Sequence, residues 1–254
     1  MTSDAALLDP ESARAWSRRW DAQQERYVAD REERFAVIGD VLAHALTGCA
    51  RPLVLDLGCG PGSLSVRMAA RLPSAQIIGV DNDPLLLALA RAAHPGAARF
   101  VEADLRLPGW SALPGLAREL DRELDAVVSS TALHYLPVET LAQVYRELAG
   151  RMRPGGILVN ADNLYDEQPA IAGIAAALRH GRAGDGEEWA SWWQAAARDP
   201  ALARLMAERE KRVMSGGDHR VSVSVHGELL RRAGFVQVGP VWQVGDDVVL
   251  VAVR

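Results

Sequence analysis

Three carboxylates, each placed at the end of an apolar run, are the side chains that could do chemistry in this chain. Asp56 lies inside LVLDL, Asp81 follows QIIGV, and Asp104 ends ARFVEAD. If these runs are parallel strands, their carboxyl ends meet at one edge of a sheet, where ligands bind. A carboxylate there accepts hydrogen bonds from ribose hydroxyls and can face a cationic group, so the pattern favours a nucleotide-like ligand.

A loop of alternating glycines follows the first of these runs. Gly58, Gly60 and Gly62 precede a segment of helical spacing that begins at Ser63. Glycine allows a positive φ and a close approach of the ligand to the backbone, and a helix N-terminus offers unpaired N–H groups. The dinucleotide fingerprint G-x-G-x-x-G would need glycine at position 63. The spacing therefore disfavours a nicotinamide or flavin dinucleotide.

A second set of candidates could act as a base or close over a ligand. His134 lies in SSTALHYL, after a fourth apolar run, and histidine has the ordinary pKa nearest to neutrality. Tyr27 and Arg31 are four residues apart in a helical segment, so they share one helix face. Asp162 ends a fifth apolar run and could orient a substrate or accept a proton. His134 could equally be a structural residue that faces a helix.

These segments together resemble a known enzyme family. D-x-G-x-G-x-G at 56–62, SSTALHYL at 129–136 and RPGG at 153–156 are similar to motifs of the class I S-adenosylmethionine-dependent methyltransferases. The resemblance implies an α/β, Rossmann-like, doubly wound sheet of seven mostly parallel strands. The last strand would be antiparallel and belong to a closing hairpin, with helices before the core and a helical cap inserted into it.

The resemblance also implies the cofactor and its binding residues. S-adenosylmethionine would lie along the strand edge, with its ribose at Asp81 and its adenine at Asp104. The expected cofactor-binding residues are Asp56, Gly58, Cys59, Gly60, Gly62, Asp81, Asn82, Ala103, Asp104, Leu105, Ser129, Ser130 and Arg31. If the acceptor must lose a proton, His134 is the expected base, and Tyr27 and Asp162 are alternatives.

A catalytic metal is not expected. Asp162 and Asn163 match a pair that binds magnesium in catechol-type methyltransferases, but those enzymes also use an acid after the fourth strand. Here Ser129, Ser130 and Thr131 occupy the corresponding positions, so the set of oxygen ligands that a hard cation prefers is incomplete.

Composition narrows the classes of partner. The 254-residue chain has a formal charge of -5 and 49% hydrophobic residues, which does not favour attraction to nucleic acid phosphates. Cys49 and Cys59 form no C-x-x-C motif, and the chain has neither a signal-like N-terminus nor a long apolar run. We expect a cytoplasmic protein with no membrane or nucleic acid partner, either a monomer or a homodimer.

The chain divides into four predicted parts. Residues 1–50 form an N-terminal helical segment, 51–163 the cofactor-binding core, 164–218 a helical cap, and 219–254 a helix with the closing hairpin. In the cap, Trp189, Trp192 and Trp193 share a helix face. They form either a core stripe or the wall of a substrate pocket.

The expected function is transfer of a methyl group from S-adenosylmethionine to an O, N or C atom of a small molecule, for which secondary metabolism is one setting. A noncatalytic binding module on the same fold, a nucleotide-dependent oxidoreductase and a methylase of macromolecules are the alternatives. An aromatic cap over the strand ends favours an enclosed small molecule over a macromolecule.

Overall fold

A seven-stranded sheet forms the centre of the computed structural model, which describes residues 8–28, 30–182, 184–212 and 217–254. The sheet order is β3-β2-β1-β4-β5-β7-β6. Strands β1 to β5 are parallel, and β7 runs antiparallel to both β5 and β6. The strands are β1 (Leu53–Leu57), β2 (Gln76–Asp81), β3 (Arg99–Glu102), β4 (Leu124–Ser130), β5 (Met152–Asn163), β6 (Gln237–Val244) and β7 (Asp247–Val253).

This order confirms the predicted doubly wound sheet and its closing hairpin. Strand β1 pairs with β2 on one side and with β4 on the other, so the direction of winding reverses between them. Such a switch point leaves a crevice outside the carboxyl ends of the strands. Asp56, Asp81, Ser130 and Asp162 all lie at or near these ends.

Ten helices accompany the sheet within the described residues. They are α1 (Pro10–Gln24), α2 (Arg31–Ala45), α3 (Ser63–Arg71), α4 (Pro84–Ala93), α5 (Pro114–Ala117), α6 (Val138–Arg151), α7 (Pro169–Arg182), α8 (Trp189–Arg198), α9 (Ala203–Glu210) and α10 (Val223–Ala233). The predicted N-terminal helical segment contains two helices, α1 and α2. Asp30 precedes α2 in a left-handed conformation with φ 53°, which a continuous α-helix does not allow.

Two apolar cores cover the two faces of the sheet. In β1, Leu53, Leu55 and Leu57 belong to the core under α6 and α10, whereas Val54 belongs to the core under α2 and α3. This alternation follows from the two-residue period of a strand. It directs Asp56, which is two residues after Val54, toward the face that α3 covers.

A third core joins α8 to α1 and α4. Trp16 and Trp20 from α1 pack with Leu85 and Leu89 from α4 and with Trp192 from α8. The Trp20 and Trp192 rings meet edge to face with centroids 5.0 Å apart, a preferred aromatic geometry. The segment predicted as a cap therefore packs against the N-terminal helix. None of the helices in the described ranges is long and apolar enough to cross a membrane.

Candidate active site

The glycine loop turns sharply between β1 and α3. Gly58, Gly60 and Gly62 have φ values of 65°, 53° and 89°, a region that residues with a Cβ rarely adopt. At Gly58 there is also a steric reason, since an added Cβ would lie 2.3 Å from the Cβ of Ala132. The Cys59 N–H donates to the Val80 carbonyl at 3.0 Å, which ties the loop to the end of β2.

Asp81 is held by the loop that it faces. Its Oδ2 accepts from the Gly60 N–H at 2.8 Å, and its Oδ1 accepts from the Asp83 N–H at 2.9 Å. Burial raises the pKa of Asp81 to about 6. Because each carboxylate oxygen has a second lone pair, Asp81 can still accept hydrogen bonds from a vicinal diol such as ribose. Asp83 caps α4 through the Leu85 and Leu86 amides, so its carboxylate has a structural role.

Asp56 is a deeply buried strand-end carboxylate. It is 1% exposed, and its Oδ2 accepts a hydrogen bond of 2.6 Å from the Ser65 hydroxyl. Burial raises the pKa of Asp56 to about 7. A cationic ligand beside it would favour the ionised form, so this position fits a sulfonium or an ammonium group.

Asp104 lies nearer the rim. It forms an ion pair with Arg106 at 2.6 Å, and this hydrogen-bonded partner lowers the pKa of Asp104 below its usual value. The nearby Asn82 side chain lowers this pKa further. Asp104 is therefore ionised and already paired with Arg106, so an adenine ring would share its acceptor oxygens with that arginine.

A cavity of about 670 Å³ joins these groups at the switch point. Its volume is within the range of about 300–1,000 Å³ that small-molecule sites occupy. Of the predicted site residues, the cavity is lined by Tyr27, Arg31, Asp56, Gly58, Cys59, Gly60, Asp81, Asn82, Ala103, Asp104, Leu105, Ser130 and His134. Three predicted residues do not line it: Gly62, Ser129 and Asp162.

His134, which follows β4, and Asp162, which lies near the end of β5, form a buried pair beside the cavity. His134 Nδ1 lies 2.6 Å from Asp162 Oδ1, and the His134 main-chain N–H donates to Asp162 Oδ2 at 3.1 Å. Burial lowers the pKa of His134, but the facing carboxylate outweighs this effect, so the net pKa is raised. If Nδ1 carries the proton that Asp162 accepts, Nε2 keeps its lone pair.

The two serines at the end of β4 have structural partners. The Ser129 hydroxyl donates to the Leu57 carbonyl at 2.9 Å and is buried. Ser130 Oγ accepts from Arg34 at 3.0 Å, and the same guanidinium pairs with Asp247 at 2.6 Å. Arg34, fully buried, was not predicted, because its partners are far from it in sequence.

Next to these serines, Thr131 has φ 52°. This conformation is strained for a β-branched residue and is typical of functional sites. Thr131 lines the cavity, beside the turn that carries His134.

Tyr27 and Arg31 line the cavity on its N-terminal side. The Tyr27 hydroxyl accepts from the Trp189 N–H at 2.9 Å, so it connects the turn between α1 and α2 to the predicted cap. Arg31 is 5% exposed and pairs with Asp21 at 2.9 Å. Its Nε is buried and has no hydrogen-bond partner among the described residues, which leaves one donor for a ligand.

Aromatic and polar residues from other parts of the chain also line the cavity, and only the tryptophans of the cap were predicted as candidates. Trp20, Trp189 and Trp193 form an aromatic wall, as one of the two readings of the cap helix expected. Tyr165 and Asp218 also line the cavity, and the tyrosine hydroxyl donates to the carboxylate. No spacing in the sequence links these two residues, which are 53 positions apart. In the described part of the chain, no cluster of His, Cys, Asp and Glu is arranged to hold a metal ion.

Comparison with known proteins agrees with this geometry. Residues 54–156 match a family model described as a methyltransferase domain. A trans-aconitate 2-methyltransferase of Methylobacterium nodulans is 34% identical over 192 residues, which cover 70% of this chain and 68% of that protein. A protein of the same name from Azoarcus is 34% identical over 150 residues, covering 58% of this chain and 53% of the relative. The chain thus spans about half the length of some of its curated relatives.

Solved structures share the fold at low identity. An S-adenosylmethionine-bound amino pentose methyltransferase from Micromonospora echinaspora has a TM-score of 0.55 at 20% identity, covering 87% of this chain and 90% of that one. Human N-acetylserotonin methyltransferase in complex with S-adenosylmethionine has a TM-score of 0.53 at 20% identity, covering 99% of this chain and 60% of that one. With its glycine loop, its strand-end carboxylates and its relatives in agreement, the chain belongs to the class I S-adenosylmethionine-dependent methyltransferases.

Proposed function

We propose that this chain transfers the methyl group of S-adenosylmethionine to a small-molecule acceptor. One observation carries the proposal. One cavity at the switch point is lined by the strand-end carboxylates, by His134 and by three tryptophans. Cofactor and acceptor could therefore meet in the same cavity, as the in-line displacement of a methyl group requires.

The chain's own residues have separable roles in this proposal. Asp81 would accept hydrogen bonds from the ribose, Asp104 and the Leu105 amide would contact the adenine, and Asp56 would favour the positive charge. Bound S-adenosylmethionine supplies a methyl group that its sulfonium charge has already activated. The protein then has to orient the acceptor and exclude water. Trp20 and Trp189 line the cavity and would keep water away from the acceptor.

A hydroxyl acceptor needs a base, and His134 is suited to this role. Asp162 engages Nδ1, so Nε2 would accept the hydroxyl proton while the acceptor oxygen attacks the methyl carbon. Asp162 itself is fully buried below the histidine and does not line the cavity. It would act through His134 and not by touching the acceptor. Tyr27 already accepts a hydrogen bond from Trp189 and is a weaker alternative.

A carboxylate acceptor is the second candidate, and the names of the relatives favour it. Trans-aconitate is an acid, and a carboxylate oxygen needs no base before it attacks a methyl group. In that case protonated His134 would bind the acceptor as a cation, together with the free Nε donor of Arg31. The two candidates predict opposite pH dependences, because one needs neutral His134 and the other needs its protonated form.

A methyl-transfer assay with separate panels of hydroxyl and carboxylic acids tests the proposal. S-adenosylmethionine carrying a labelled methyl group is incubated with the protein, and mass spectrometry follows both the methylated product and S-adenosylhomocysteine. We expect equal amounts of the two products with one panel. With hydroxyls the rate should rise with pH through the pKa of His134, and with carboxylates it should fall.

Binding without turnover would contradict this proposal. If S-adenosylmethionine binds but no acceptor in either panel yields S-adenosylhomocysteine, the noncatalytic binding module replaces the enzyme. A His134→Ala variant is the internal control, since the pH dependence should disappear while binding of S-adenosylhomocysteine remains.

We further propose that the protein works in the cytoplasm as a monomer or homodimer, with no nucleic acid partner. The formal charge of -5 and the two free cysteines support this setting.

A further inference from the structure

A second, smaller cavity lies on the other side of the first turn of α3. Its volume is about 230 Å³, and it is enclosed by α1, α3 and the end of α4. Ser63 lines both this cavity and the large one. The residues that matter for its chemistry are Arg14, Ser17, Arg18, Asp21, Arg67 and His94.

Helix α1 contributes four of these residues on one face. Arg14, Ser17, Arg18 and Asp21 are spaced at i, i+3, i+4 and i+7, the spacing that aligns side chains along a helix. This face meets Arg67, which lies one turn into α3. The cavity therefore collects three guanidinium groups and two serines, Ser17 and Ser63, and the Ser63 hydroxyl already donates to Asp21.

The positive charge of this cavity is only partly compensated. Asp21 is its one acidic residue, and Asp21 also pairs with Arg31 outside the cavity. Arg67 is shared between Asp21 and Glu32. Within the described ranges, Arg14 and Arg18 make no ion pair or hydrogen bond, and both are exposed. Two guanidinium groups are thus free to bind an anion.

Ser17 gives an independent indication of a ligand. The residue is 6% exposed, and its buried Oγ has no hydrogen-bond partner among the described residues. Buried polar atoms are hydrogen-bonded in the great majority of cases. An acceptor oxygen in the cavity would satisfy this hydroxyl, and the adjacent arginines select an oxygen that carries negative charge.

We propose that this cavity binds the phosphate group of a small ligand. Guanidinium groups pair with phosphate oxygens through two parallel hydrogen bonds, and a hydroxyl can donate to a third oxygen. The volume corresponds to about eight water molecules at ~30 Å³ each. This is below the ~300 Å³ at which drug-sized sites begin, so the site fits inorganic phosphate or a short phosphate monoester and excludes a nucleotide.

Calorimetric titration tests this site with the intact chain in a buffer that contains no phosphate or sulfate. Inorganic phosphate and glycerol 1-phosphate are titrated separately, each without and with saturating S-adenosylhomocysteine. The cofactor product fills the large cavity, so binding that survives its presence is assigned to the small one. We expect saturable binding of one equivalent, and tighter binding of the ester would identify a phosphorylated metabolite over free phosphate.

Matched variants locate the binding. Arg14→Ala/Arg18→Ala should weaken phosphate binding by at least about tenfold, and Ser17→Ala by about tenfold, because hydrogen bonds to charged groups are lost. Arg118→Ala/Arg146→Ala removes the same charge from two exposed arginines that do not line the cavity, and it should leave the affinity unchanged. Ser17→Ala keeps every charge, so it remains informative if the arginine variant does not fold.

Three results would contradict the proposed phosphate site. They are no saturable binding, an equal loss of affinity in the two double variants, and competition by S-adenosylhomocysteine, which would assign the phosphate to the large cavity. This inference does not depend on methyl transfer, so it can hold or fail independently of the proposed function.

Discussion

The charge of each strand-end carboxylate is set by its neighbours. Burial raises the pKa of Asp56 and Asp81 to about 7 and about 6. Asp162 is equally buried, but His134 and Arg34 outweigh burial and lower its pKa. The site therefore holds two carboxylates whose ionisation a cationic ligand would favour, and one that stays ionised to support a histidine.

Asp81→Ala should weaken binding of S-adenosylhomocysteine by about 1–3 kcal/mol, because the ribose hydroxyls would lose a charged acceptor. Isothermal titration calorimetry measures this loss. Asp121→Ala removes an exposed carboxylate that does not line the cavity and serves as the control. Unchanged affinity in Asp81→Ala would remove this residue from the site.

Asp162→Asn should move the pH dependence of methyl transfer to lower pH. The carboxylate raises the pKa of His134, so its removal leaves burial to lower that pKa. With a hydroxyl acceptor, His134 would then be neutral at a lower pH, so the rate would rise at a lower pH. Because His134 would also be a weaker base, the maximal rate would be lower. Steady-state kcat/KM against pH measures both effects.

Asp218→Asn is the graded control for this experiment. Asp218 raises the pKa of His134 less than Asp162 does, so we expect a smaller shift in the same direction. A shift to higher pH in Asp162→Asn would show that the pair does not work as described.

The site residues that could be predicted are those that a local pattern marks. Asp56 and Asp81 end apolar strands, and Gly58 belongs to a spaced motif. Arg34 and Asp218 could not be predicted, since each acts through a partner that only the fold brings near.

Among the elements, the loop between β1 and α3 combines positive φ values with close packing. Gly58→Ala would place a Cβ 2.3 Å from the Ala132 Cβ, so we expect lower stability and a loss of cofactor affinity. Gly48→Ala is a matched control because Gly48 has φ 82° but no heavy atom within 4 Å of an added Cβ. It should cost only the backbone strain of about 1–2 kcal/mol.

Denaturant unfolding and calorimetry separate the two effects. If Gly58→Ala and Gly48→Ala lose the same stability and both keep full cofactor affinity, the close contact with Ala132 has no functional importance.

Helices α6 and α10 share a buried polar contact that should make stability depend on pH. The Tyr145 hydroxyl lies 2.7 Å from His226 Nδ1, and His226 is fully buried. Burial lowers the pKa of His226 from 6.5 to about 4. In this window the unfolded chain binds more protons, so the stabilising contribution is complete above 6.5 and decreases as the pH falls toward 4.

The expected loss is about 2 kcal/mol between about pH 7 and about pH 5. Urea unfolding of the wild type and of His226→Gln at both pH values measures it, because the difference between the two proteins cancels other titrating groups. Replacing the exposed His180 by Gln should not change the slope. A variant as pH-dependent as the wild type would exclude His226 as the cause.

Element types were easier to predict than element boundaries. The alternation in β1 and the Asp83-Pro84 start of α4 have local causes. The position of the break before α2 could not be predicted, because Asp30 takes a left-handed conformation that no turn motif in that stretch marks. Strand β5 begins at Met152, before the RPGG turn at 153–156, because Met152 pairs with Leu124 across a bulge.

At the scale of the whole molecule, the sheet order positions the site at the switch point, and the third core forms one side of the cavity. Trp20 from α1 contacts Trp189, Trp192 and Trp193 of α8 edge to face. Helix spacing predicted that these cap tryptophans share a face, but the partner of that face lies about 170 residues earlier and could not be inferred from local pattern. Residues from the predicted N-terminal, core and cap segments thus line one cavity.

The central claim is that the carboxyl edge of this sheet binds S-adenosylmethionine with its reacting centre toward His134. A crystal structure of the complex with S-adenosylhomocysteine tests it most directly. We expect the ribose at Asp81, the adenine beside Asp104 and the sulfur facing the His134 end of the cavity. Density for the compound at any other place, or an empty strand edge at saturating concentration, would contradict the account.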